Sequence, residues 1–135
     1  MASYHFSVTV NEGFDSAVTR TKQALADNGF GIVSEIDVAA ILAEKLDVEH
    51  DPYLILGACS PEYARTVIAS EPAIGVLLPC NVVVRADGEG VVVDFMDPAV
   101  MMDLVGERRV HVIAEDVRAR LEMTRDAVAT TSAAA

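Results

Sequence analysis

A chain of 135 residues, 52% of them hydrophobic, fits one domain with a core of its own. Its formal net charge of −11 argues against nucleic acid and anionic membrane as partners, since both need a basic surface. No charged start followed by an apolar run opens the chain, no stretch reaches bilayer length, and two cysteines make no disulfide scaffold, so a cytoplasmic protein is expected.

Tyr4, Phe6, Val8 and Val10 alternate with His5, Ser7 and Thr9, the pattern of a half-buried strand. Asn11 can cap the helix that follows, where Phe14, Ala17, Val18, Ala24 and Leu25 share one face. Asn28 and Gly29 close it, with Gly29 where a left-handed backbone is favoured. Residues 30–36 read as a second strand, expected to run antiparallel to the first. Asp37 caps a short helix with Val38, Ile41, Leu42 and Leu46 on its apolar side, and residues 47–52 form an acidic connection around His50.

Leu54, Ile55 and Leu56 form a short apolar run read as a buried strand. Gly57 and Ala58 are small enough to let another segment approach the backbone. Ser60, Pro61 and Glu62 then read as a helix start, which sets Cys59 just before a helix N-terminus, where a thiolate is favoured by the dipole and opposed by Glu62. Pro79 interrupts the apolar run 74–78, and Cys80 and Asn81 open the strand of Val82, Val83 and Val84. That strand and Val91, Val92 and Val93 flank a turn of Asp87, Gly88, Glu89 and Gly90, a hairpin. Asp97 and Pro98 open a short helix carrying Met101, Met102 and Leu104. The last helix runs over about 107–128, with Val110, Ile113, Val117, Leu121 and Val128 as its buried stripe. One α+β domain over 1–129 is expected: a mostly antiparallel sheet with helices on one face, in two layers, followed by a frayed tail over 130–135.

The residues around both cysteines resemble the domain-of-unknown-function 302 family. The resemblance is carried by Gly29, Phe30 and Gly31, by Glu35 and Asp37, by Pro52 and Tyr53, by the run from Ile55 to Cys59, by Pro61, by Glu71 and Pro72, by the run from Leu78 to Val82, and by Asp97 and Pro98. Ser60 stands where relatives commonly have Asn, and both cap helices well. The resemblance implies a small α+β fold, often a homodimer, with no settled role and no catalytic residues to carry over.

The candidate site is therefore the neighbourhood of Cys59, Ser60, Cys80 and Asn81, able to hold a small molecule or a small anion at the helix N-terminus. Two competing readings use the same residues. In one the cysteines are a redox or sulfur-handling pair, with Cys59 as nucleophile and Cys80 as resolving thiol, or they bind a soft metal such as copper(I). In the other they are buried hydrophobes in a purely structural dimer. Two thiolates alone do not complete a tetrahedral zinc site. His5, His50 and His111 are expected to be structural or solvated, and Met96, Met101 and Met102 to be packing residues, with a thioether supplement to a copper(I) site as the second reading of the three methionines. No phosphate loop, dinucleotide motif or nucleophile elbow is present, so no enzyme class is indicated.

Overall fold

The computed structural model describes residues 3–134, with side chains for 3–129. Five strands form one sheet in the order β1-β5-β4-β3-β2, with β1 His5–Val10, β2 Gly31–Asp37, β3 Tyr53–Cys59, β4 Cys80–Asp87 and β5 Gly90–Met96. Every neighbouring pair is antiparallel. Strand alternation sorts the residues as the pattern predicts. Phe6, Val8 and Val10 of β1, Val91, Val93 and Phe95 of β5 and Val82 and Val84 of β4 turn to one face. Helices α1 (Phe14–Asp27) and α5 (Arg108–Ala134) cover that face, with Leu25, Val117, Leu121 and Val128 completing the core. The fold is a two-layer α+β arrangement.

The second strand departs from expectation. β2 does not pair with β1; the two are the opposite edges of the sheet, and four antiparallel steps between them make them parallel. The reason is the length of the connection. Fourteen helical residues in α1 span about 21 Å, against about 19 Å for four strand spacings, so the helix can carry the chain across the whole sheet.

The local signals hold at most other places. Gly29 has φ +88° at the end of α1, and Gly88 has φ +62° in the β4–β5 hairpin. The first helix begins after Gly13, however, not Asn11. Asp37 Oδ1 accepts a bond of 2.9 Å from the Ala40 amide and caps α2 (Val38–Leu46). The apolar side of α2 is not covered: none of its residues is buried, and Ile41 and Leu46 are 44% and 65% exposed. Tyr4 is likewise exposed. A second, smaller hydrophobic cluster gathers Val67, Ile74, Met101, Val110 and Ala114 where α3 (Pro61–Ser70), a 3-10 turn (Pro72–Leu77), α4 (Ala99–Leu104) and α5 meet. Helix α5 continues to Ala134, past the end expected near 128. The side chains of the expected frayed tail 130–135 lie outside the described residues. Among the described residues no helix is long and apolar enough to cross a membrane.

Candidate functional site

The two cysteines sit at adjoining strand ends. In the β3–β4 ladder Ala58 faces Cys80 and Gly57 faces Asn81. β3 ends at Cys59 and passes through Ser60 into α3, while β4 begins at Cys80 directly after Pro79. Gly57 permits this crossing. A Cβ there would lie 2.8 Å from Cγ of Pro79 and would overlap the Ser34 side chain.

Between these strand ends and the helices lies a cavity of about 40 Å³. It occupies the seam of the two hydrophobic clusters. Ala58 and Cys80 belong to the main core, Met101 and Ala114 to the smaller one, and all four line the void. Cys59 and Ser60 stand beside them, and Tyr63 of α3 forms another wall. The lining is almost wholly apolar. Two polar contacts fix its walls from outside. The Arg120 guanidinium lies 5.3 Å from the centre of the Tyr63 ring, a cation–π contact. Asp97 Oδ1 accepts from the Ala99 amide and from Arg118 Nε, both at 2.9 Å, which sets the start of α4 and hence Met101.

Burial governs the thiols. Cys80 is 8% exposed, and loss of solvation, helped by the neighbouring Cys59, pushes its pKa up to about 11. Burial also raises Cys59, which is only partly covered. The expectation that the α3 N-terminus favours a thiolate at Cys59 is thus not met. Ser60 is the N-cap residue but its side chain makes no capping bond, and burial raises the Cys59 thiol. Both thiols are protonated at neutral pH, a poor state for a nucleophile and a good one for apolar packing.

Cys59, Ser60 and Cys80 are brought together; Asn81 is not. Neighbours on a strand face opposite sides, and Asn81 lines a groove on the uncovered face of the sheet with Tyr53, Arg85 and Asp94. There Ser7 donates to Asp94 Oδ1 at 2.5 Å and Arg85 Nε to Asp94 Oδ2 at 2.7 Å. Burial pushes the Asp94 carboxyl up, but these bonds outweigh it and hold it below the ordinary carboxylate range. The histidines are engaged away from the cavity. His5 bonds the Ser7 hydroxyl, His50 the Asp51 carbonyl and His111 the Val105 carbonyl. Among the described residues no three His, Cys, Asp or Glu side chains gather as a metal site would need. The sequence does not mark Tyr63 as a wall of the cavity, nor does it single out Met101 from Met96 and Met102. The helical spacing that marks both as apolar-face residues is the same for any core residue.

Comparison with known proteins adds the following. The family model described as Domain of unknown function DUF302 matches residues 6–128. The chain is similar to the protein in a crystal structure of an uncharacterized conserved protein DUF302 from Bacillus stearothermophilus, with 27% identity and a TM-score of 0.86. That match covers 94% of this chain and 99% of the other. No curated protein matches.

Proposed function

The chain belongs to the DUF302 family, a domain of unknown function, and on that premise we propose that it is a small homodimeric binding or accessory protein whose ligand site is the cavity at Cys59 and Cys80. One observation carries this reading: both cysteines open onto a single void at the seam of two hydrophobic clusters. A packed interior has few voids larger than a water molecule. At about 40 Å³ the void suits an occupant of very few atoms. The apolar lining and protonated thiols favour a neutral or soft ligand over a hard anion. Two unpaired cysteines accord with a reducing compartment, the cytoplasm.

The dimer reading draws on α2. Seven of its nine residues, VAAILAEKL, are apolar, yet none is buried within the chain. Together with Val48, 44% exposed, Ile41 and Leu46 offer a patch that a second copy would cover.

Native mass spectrometry of freshly purified protein, before and after alkylation under native conditions, tests both parts. A dimer carrying an adduct mass that alkylation removes is expected. A species without adduct, whose thiols label only after denaturation, would reduce the cysteines to core residues. A monomer would overturn the dimer.

A further inference from the structure

We propose that this cavity is a copper(I) site, with the thiolates of Cys59 and Cys80 and the thioether of Met101 as donors. The inference names the ligand of the site proposed above and rests on that reading. Its ground is a juxtaposition of three segments distant in the chain. Cys59 closes β3, Cys80 opens β4, Met101 lies in α4, and all three residues line one void.

The donor set decides the ion. Thiolate and thioether are soft ligands and select copper(I), whereas carboxylates, carbonyls and water suit magnesium, calcium and manganese. Structural zinc takes four ligands. Among the described residues no group of three His, Cys, Asp or Glu side chains is available to supply them. His5, His50 and His111 hydrogen-bond elsewhere. The room decides it too. One water needs about 10–15 Å³ of such space, so a void of about 40 Å³ admits an ion stripped of its hydration shell. Magnesium keeps several waters and does not fit that description.

The binding step balances without an oxidant or reductant. Two S–H bonds break, two S–Cu bonds form, and the Met101 sulfur donates a lone pair. Two protons leave for solvent, and copper stays in its +1 state throughout. Two thiolates and one copper(I) leave one negative charge in an apolar setting. The ten-residue α3 begins two residues after Cys59, and its first turn has no side-chain cap, so its positive end is free to offset that charge. Met102 follows Met101 but packs against the smaller cluster without lining the void, which makes it an internal control.

The test is an anaerobic titration of the reduced full-length protein with copper(I) held by the chromophoric chelator bicinchoninate. Withdrawal of one copper per chain is expected. Met101→Leu, which keeps the side-chain volume, should weaken binding at least about tenfold, the loss that removing even an outer-sphere partner produces. Met102→Leu should leave it unchanged, and Cys59→Ser should abolish it. Cys80→Ser should do the same, with circular dichroism reporting whether that variant folds. X-ray absorption on the copper-loaded protein should show a sulfur-only shell. No withdrawal of copper would overturn the proposal, as would equal binding by Met101→Leu and wild type, or a nitrogen or oxygen shell. A different alkylation-sensitive adduct in the native spectrum, with no copper withdrawn, would overturn the copper assignment and leave the binding reading standing. A cavity that takes neither would end both.

Discussion

Gly57 shows how one missing side chain makes room for a site. Ser34 on one strand and Pro79 before the next both press against its backbone. Gly57→Ala must therefore shift the start of β4, and with it Cys80. We expect a loss of about 1–3 kcal/mol, the usual cost of overpacking, read as a lower midpoint in urea. An unchanged midpoint would show that Ser34 and Pro79 yield freely. The smallness of Gly57 was legible in the sequence as a place of close approach; what approaches was not. Asn81 teaches the converse. It is adjacent to Cys80 in the chain, yet alternation along a strand sends adjacent residues to opposite faces.

At the scale of elements, strands and caps were readable because their causes are local. Alternation of Phe6, Val8 and Val10, the cap at Asp37 and the glycine turn at Gly88 each depend on a few neighbouring residues. Strand order was not readable, because nothing local to β1 or β2 says that three strands will stand between them. For the same reason nothing local shows that Met101 lines one cavity with Cys59 and Cys80, which stand more than twenty positions earlier in the chain. Helix α2 is the element whose apolar side finds no cover in its own chain. The double variant Ile41→Lys, Leu46→Lys should therefore leave each chain's own fold intact, read as an unchanged circular dichroism spectrum, because neither side chain is buried within the chain. On the dimer proposal, sedimentation should then report a monomer for the variant and a dimer for the wild type. A variant that stays dimeric would move the interface away from α2.

For the whole molecule, the buried thiols tie stability to alkaline pH. The folded state holds the Cys80 proton up to about 11, whereas an ordinary thiol gives it up near 9.0. Between those values the unfolded chain binds fewer protons than the folded one, so stability falls as pH rises. The contribution is fully present below pH 9 and is lost through the folded pKa. At about 1.4 kcal/mol per pKa unit it amounts to about 3 kcal/mol at most. Cys59 is raised as well and acts in the same sense. Urea midpoints measured at pH 8 and pH 10.5 should drop more steeply for wild type than for Cys80→Ala. Parallel profiles would mean that Cys80 is not the group responsible.

The sheet order also bears on how the chain is made. Phe6 of β1 finds its partner in Phe95 of β5, eighty-nine positions later. β2, β3, β4 and β5, by contrast, pair in succession as a meander. On a ribosome the meander can close as it emerges, while β1 must wait, unpaired, until all of β2 to β5 has followed it. The N-terminal segment is thus the last piece of the sheet to be seated, and β5 offers it an open edge until it arrives.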